Sequence, residues 1–342
     1  MYLHLMVPVD ESVLSASNVD TAVRLASQLG ARITFFHATA DFSATDEGAL
    51  LRTIGPSNFD EAAIGQTNTV LSKAKVSANA AGVTCETMAR TCDKPAEAIV
   101  ELARERGCDL IVMASRGARG LTAWMHSSQT ERVLRHSPIA LLVTRVTSND
   151  PLTPRERALA VILDEHRSIA VVVQGAQQWV QQVESSESQL DVNKLASILT
   201  YMQDFPLQQH HPKEERYLHH RLRQRAPDSE ATLRELEAQH MREHALVSEA
   251  VRLQQKTQAG IPGAVEELRA VVQELVTAVW AHMRLEEDTI LPLALKHFED
   301  EDWTEIAEAF EANDAPSVGH LTATEFRRLF TRIANIFPTA QG

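Results

Sequence analysis

The hydrophobic periodicity of this chain changes once along its length, and that change limits the fold more than any other feature. The first 146 residues alternate short β-rich runs with helical segments, whereas strand signals stop after residue 154. Between the two parts, TSNDPLTP (147–154) holds two prolines together with Ser, Asn and Asp, a composition typical of a linker. A chain of 342 residues is also long enough for two domains. The sequence therefore predicts an α/β domain followed by an all-α domain.

The first domain, 1–146, is predicted to contain a five-stranded parallel sheet. Its strand candidates are YLHLMVPV, RITFFHA, GVTCETMA, DLIVMAS and IALLVTRV, and helical patterns cover 17–29, 58–81, 95–106 and 128–135. This alternation favours a doubly wound (Rossmann-like) sheet with helices on both faces. In such sheets, ligands bind at the carboxyl ends of the strands, near the point where the strand order reverses.

The second domain, 155–299, is predicted to be an up-down four-helix bundle. Long helical patterns cover 154–183, 191–224, 228–258 and 262–298, with short breaks such as RAPDSE and AGIPG between them. Short loops between long helices favour antiparallel neighbours. The tail, 300–342, is predicted to hold one or two shorter helices.

Histidines and carboxylates recur at helical spacing along the bundle segments. HHPKEE, HMREH and HMRLEE each place two of them four residues apart, which puts both side chains on one face of a helix. A single HxxxE arises by chance on charged helices. The prediction of a metal site therefore depends on the repetition of such pairs in three segments. Imidazole and carboxylate suit iron, zinc or manganese, and helix bundles build two-metal sites from such residues. The candidate ligands are His166, His210, Glu214, His240, His244, His282 and Glu286.

The second bundle segment offers a rival pair, His211 with Glu215, at the same spacing. Periodicity alone does not choose between the two registers. The fourth segment has a single H-x-x-x-E-E, and matching it favours His210 with Glu214. That choice predicts that the remaining polar groups either face away from the metal site or lie behind its ligands. These groups are His211, Glu215, His219 and His220.

The pattern resembles the hemerythrin family, specifically its cation-binding bacterial branch, over about residues 155–313. The resemblance implies two non-haem iron ions held by the candidate ligands, with O2, NO or peroxide as the small-molecule ligand. Animal oxygen carriers of this family end on H-x4-D, so the H-x3-E of His282 and Glu286 argues against reversible oxygen transport. Some relatives bind metal through one histidine of the third helix, which leaves His244 open.

The first domain resembles the universal stress protein family through VPVDES and the stretch MASRGARGLTAWMHSSQTERVLRHSPIALLV. ATP-binding members carry G-x-x-G-x9-G-[ST], and the aligned residues are Ala114, Gly117, Ser127 and Ser128. The resemblance implies an ATP site at Asp10, Gly117, Ser127 and Ser128, but two of the three glycines are replaced. A domain that only dimerises is the alternative. Since the last strand often pairs between protomers in this family, IALLVTRV predicts a homodimer.

Charge and apolar patterning exclude several classes of partner. A net charge of -13 argues against nucleic acid and anionic membranes. No apolar stretch is long enough for a signal or a membrane span, and the three cysteines form no CxxC pair, so the cytoplasm is the simplest compartment.

The leading hypothesis is a cytoplasmic stress-response protein whose di-iron site binds O2 or NO, or senses redox state. The alternatives are a di-iron enzyme, which reduces NO or peroxide or repairs iron sites, and an iron store. The sequence does not determine which metal is bound, which gas is the ligand, or which partner protein receives the signal.

Overall fold

A computed structural model describes residues 2–39, 56–116, 129–147, 152–185, 192–312 and 323–336. The chain divides into two compact units between Pro151 and Leu152, inside the predicted linker. The first unit is a parallel sheet with helices, and the regular structure described in the second is entirely helical. The predicted fold class is therefore confirmed. None of the described helices is long and apolar enough to cross a bilayer.

The sheet unit has five parallel strands in the order β3-β2-β1-β4-β5. The strands are β1 (His4–Pro8), β2 (Arg32–Thr39), β3 (Cys85–Thr91), β4 (Leu110–Arg116) and β5 (Ala140–Thr147). The helices described with them are α1 (Val13–Leu29), α2 (Pro56–Ala80), α3 (Pro95–Glu105) and α4 (Gln129–His136). The strand order reverses between β1 and β4, so a ligand site is expected at the carboxyl ends of these two strands.

Alternating residues of β1 enter two separate cores, one on each face of the sheet. Leu5 and Val7 lie in a cluster with Leu71 of α2, whereas Met6 lies in another with Ile99 of α3. The central strands are buried on both faces, as a sheet covered by helices requires. This double burial explains why the strand candidates read as nearly continuous apolar runs.

The helical unit contains the four predicted bundle helices and two further helices. The first bundle helix is Pro154–Ser185, the second runs from Val192 to Arg225, the third is Glu230–Gln258, and the fourth runs from Ala264 to His297. The further helices are Asp300–Glu311 and Ala323–Ile336.

Helix Asp300–Glu311 belongs to the bundle core rather than to a separate tail. Its apolar residues Trp303, Ile306 and Phe310 follow the i, i+3, i+7 spacing of one helix face, and they are buried in a cluster with Ile162. The hydrophobic core therefore extends beyond the predicted end of the bundle at residue 299.

Two bundle helices change their hydrogen-bonding pattern where the candidate ligands lie. The second is α-helical at Val192–Met202, π-helical at Gln203–His210, α-helical at His211–Lys213, π-helical at Glu214–His219 and α-helical at His220–Arg225. The fourth is π-helical at Glu286–Ile290, between Ala264–Leu285 and Leu291–His297. In a π-turn each amide bonds five residues back, so the turn is wider than an α-turn, and such turns are frequent at functional sites.

Candidate metal centre

Two clusters of buried metal-ligating residues lie inside the helical unit and share one carboxylate. In each cluster, one ligand atom per residue lies within 4.8 Å of the others. The first cluster contains His166, His210, Glu214 and Glu286, and the second contains His211, Glu214, His240 and His282. Because Glu214 belongs to both, the two clusters are adjacent, and each has the side chains that could hold one ion.

The Glu214 carboxylate faces imidazoles of both clusters. Its Oε1 lies 2.7 Å from His210 Nε2 and 3.5 Å from His166 Nε2. Its Oε2 lies 3.6 Å from His240 Nε2. One oxygen therefore faces each position, which is the geometry of a carboxylate that bridges two ions.

Glu286, on the fourth bundle helix, also faces histidines of both clusters, but through one oxygen. Its Oε2 lies 3.3 Å from His166 Nε2 and 3.5 Å from His282 Nε2, and these histidines belong to different clusters. Glu286 is fully buried. A second carboxylate thus reaches both positions.

Apart from their contacts with one another, the ligand atoms of this centre are buried without hydrogen-bond partners. They include Nε2 of His166, His210, His240 and His282, and both carboxylate oxygens of Glu214 and Glu286. Leaving one buried donor or acceptor unpartnered costs about 1–3 kcal/mol, so nearly all such atoms in proteins are paired. Cations coordinated at the two positions would satisfy these atoms together, and the residues therefore fit a two-metal centre.

Three of the histidines are held by carboxylates on their far side. The Nδ1 contacts are His166 with Glu287 at 2.8 Å, His210 with Glu165 at 2.7 Å, and His240 with Glu215 at 2.7 Å. Such a hydrogen bond fixes the ring and its tautomer, and it makes the other nitrogen a stronger metal donor. Each of the three rings therefore presents Nε2 to the centre.

The charges of the metal-free centre are balanced within it. Burial acts to lower the pKa of His210, but Glu214 and Glu165 outweigh it and raise that pKa to about 9. Burial and Glu286 act to raise the pKa of Glu214, but His210 and His166 hold it well below its usual value. Protonated imidazoles thus neutralise the carboxylates, and a divalent ion would displace those protons.

Two families match this chain, one on each side of the linker. The universal stress protein family matches residues 1–145, and the hemerythrin HHE cation binding domain matches residues 157–294. Universal stress protein YxiE of Bacillus subtilis (strain 168) is 30% identical over 149 residues, which span 42% of this chain and 100% of that protein. This chain belongs to the universal stress protein family. A hemerythrin HHE domain follows the stress-protein domain.

Two solved structures are each 26% identical to the chain. A universal stress protein in complex with cAMP covers 42% of this chain and 97% of its own, with a TM-score of 0.32. A protein of the universal stress protein family from Burkholderia pseudomallei covers 42% and 95%, with a TM-score of 0.31.

The hemerythrin domain brings six of the seven predicted ligands together, and His244 is the exception. His244 is exposed and lies outside both clusters. The third bundle helix is α-helical, and its buried stripe runs through Leu236, His240, Glu243 and Val247. A residue four positions after His240 falls beside this stripe, so the predicted His240–His244 pair does not form.

The prediction that His211 faces outward or holds an outer position is not met. Both His210 and His211 are buried, and each belongs to a different cluster. The histidine pair lies where the π-helical segment Gln203–His210 ends. Because a π-turn holds more residues than an α-turn, adjacent side chains are separated by a smaller rotation and both can face the interior. A prediction that chooses one of the two i, i+4 registers of an α-helix therefore cannot assign both His210 and His211 to the centre.

Two more polar side chains at the centre were not predicted as ligands. His219 is fully buried, and its Nε2 lies 3.8 Å from Glu286 Oε1. Glu243 is also fully buried, and burial raises its pKa to about 7. The sequence signal for Glu243 was its place three residues after His240, one helical turn along the same face. The predicted outer position of Glu215 agrees with its hydrogen bond to His240.

The predicted nucleotide site is described only in part. Asp10 follows β1, and its Oδ1 accepts hydrogen bonds from the Ser12 amide at 2.9 Å and the Ser12 hydroxyl at 2.5 Å. It lies at the carboxyl end of β1, whose neighbour β4 ends at Arg116. The other predicted residues, Gly117, Ser127 and Ser128, lie outside the described residues.

Proposed function

We propose that the hemerythrin domain holds two non-haem iron ions and binds O2 or NO, or senses redox state, within a cytoplasmic stress-response protein. The observation that supports this proposal is the pair of buried clusters that share Glu214. Their carboxylate oxygens, and the Nε2 atoms of four of their five histidines, have no hydrogen-bond partner outside the centre. The three cysteines are unpaired, which is compatible with a reducing compartment.

The donor set favours iron over softer metals. The clusters contain imidazoles and carboxylates and no thiolate, and such nitrogen–oxygen sets suit iron, manganese and zinc. Iron would supply a change of valence, which zinc lacks. The carboxylates Glu165, Glu215 and Glu287 add negative charge behind three histidines and would stabilise the higher valence.

The donor count leaves room for a small ligand. Five histidines and two bridging carboxylates supply nine donor atoms, fewer than the roughly twelve positions of two six-coordinate ions. The remaining positions are open to water or to a diatomic molecule. The surrounding side chains hold the donors in place and keep bulk solvent away, since every residue of both clusters is buried.

Metal analysis of the purified chain, together with its optical spectrum under argon, O2 and NO, tests this proposal. We expect two irons per chain and a spectrum that changes when either gas is added. Absence of a stoichiometric transition metal would refute it. Catalytic turnover of NO or peroxide with a reductant would assign an enzyme instead, and iron well above two per chain would assign a store.

For the stress-protein domain we propose ATP binding at the carboxyl ends of β1 and β4, through Asp10, Gly117, Ser127 and Ser128. The support is the motif in the sequence and the place of Asp10 next to the reversal of strand order. Equilibrium dialysis with ATP is the test, and equal ATP on both sides of the membrane for the wild-type chain would reject this proposal.

A further inference from the structure

Glu243 stands out among the buried groups that the proposed metal centre leaves unused. It lies on the third bundle helix, one turn after His240, and its exposed fraction is 0%. Neither of its carboxylate oxygens has a hydrogen-bond partner. A buried, unpartnered carboxylate is costly, because its charge has lost its hydration without replacement.

The two oxygens of Glu243 face two histidines of one cluster. Oε2 lies 3.7 Å from His211 Nε2, and Oε1 lies 3.8 Å from His282 Nδ1. Both histidines belong to the cluster that also contains Glu214 and His240. The Glu243 carboxylate therefore lies next to the cluster that is proposed to hold one of the two ions.

The distances separate Glu243 from the carboxylates that orient the other histidines. Glu165, Glu215 and Glu287 lie 2.7–2.8 Å from a histidine Nδ1, which is hydrogen-bond range. Metal–donor bonds of about 2.0–2.2 Å place two ligands of one ion roughly 3–4 Å apart, depending on the angle between them. The contact between Glu243 Oε2 and His211 Nε2, 3.7 Å, falls in this second range.

We propose that Glu243 is a further metal ligand, for the ion held by His211, His240 and His282. This inference rests on the proposed metal centre. The position of His211, His240 and His282 then has a carboxylate of its own, Glu243, in addition to Glu214 and Glu286, which reach both positions. A third hard oxygen donor favours iron or manganese over softer ions.

Cobalt(II) binding to the metal-free full-length chain tests the proposal, because the visible spectrum of Co²⁺ reports its ligands. The variant is Glu243→Gln. One control is Glu215→Gln, which alters a carboxylate behind His240 of the same cluster. The other is Glu235→Gln, an exposed carboxylate on the same helix.

We expect two Co²⁺ per wild-type chain. Loss of an orienting carboxylate typically weakens metal affinity by about 10–100-fold, so Glu215→Gln should fall in that range. Glu243→Gln should weaken one of the two ions by more than about 100-fold and change the visible spectrum of that ion, since a direct donor is lost. Glu235→Gln should match the wild type.

A measurement of unfolding free energy distinguishes loss of a metal ligand from a general folding defect. For Glu243→Leu without metal, we expect an unfolding free energy at least equal to that of the wild type, because an unpartnered buried charge is removed. Its stabilisation by Co²⁺ should be smaller than that of the wild type. A Glu243→Gln chain that binds both ions with an affinity loss no greater than Glu215→Gln, and with an unchanged spectrum, would overturn the proposal. A wild-type chain that binds no Co²⁺ would overturn the metal centre as well.

Discussion

At the scale of single residues, the centre is defined by donors that the fold leaves with no other partner. Both oxygens of Glu214 are buried, and imidazoles of two clusters surround it. The sequence predicted Glu214, His282 and Glu286, because these ligands belong to the repeated H-x-x-x-E-E unit. It missed the buried His211 and Glu243, because a list of i, i+4 pairs excludes a residue next to an assigned ligand.

Alanine substitutions on the second and third helices separate the predicted ligands from the observed ones. His211→Ala should lose at least one metal ion per chain, as His210→Ala should, because each histidine belongs to a different cluster. His244→Ala should keep full metal content, since His244 is exposed. Elemental analysis of the three purified variants checks this. Full metal content in His211→Ala would restore the outward assignment of His211.

At the scale of helices, the change from α- to π-hydrogen bonding decides which residues face the centre. Gln203–His210 and Glu214–His219 lie on either side of a short α-helical turn, and the fourth bundle helix repeats the change at Glu286–Ile290. The boundaries of the long helices could be predicted from periodicity and from breaks such as RAPDSE. The π-segments were not predicted, because the sequence was read with the single period of an α-helix.

Removing one residue from the first π-segment tests its role. Deletion of the exposed Gln208 should shorten the wide turn towards an α-turn and rotate the preceding part of the helix relative to His210 and His211. We expect strong loss of metal binding while circular dichroism shows nearly unchanged helix content. Gln208→Ala, which keeps the residue count, should bind metal as the wild type does. Normal metal content in the deletion would show that the π-segment does not position the ligands.

At the scale of the whole chain, two domains of different fold class follow one another, and the sequence separates them because its period changes at the linker. Double burial of β1 and one-sided burial of the bundle helices give different apolar patterns, so both fold classes could be predicted. The motif residues Gly117, Ser127 and Ser128 lie outside the described part of the chain, and the nucleotide site therefore stays a proposal.

The proposed homodimer is tested on β5, an edge strand of the sheet. Leu142 and Val143 are 38% and 37% exposed, which is unusual for apolar residues of a strand. We expect sedimentation to give twice the mass of one chain, and Val143→Glu to give a single chain with its metal content unchanged. A monomeric wild-type protein at micromolar concentration would reject pairing through this strand.

The buried ligand atoms without partners have a consequence for the life of the protein in a cell. A chain that folds around buried carboxylates and imidazoles gains stability from whichever ion they coordinate, and the gain grows with the concentration of that ion. Proteases remove unfolded chains first, so the amount of this protein that persists would follow the supply of its metal. Through that dependence, starvation for the ion would lower the level of the protein without any change in its synthesis.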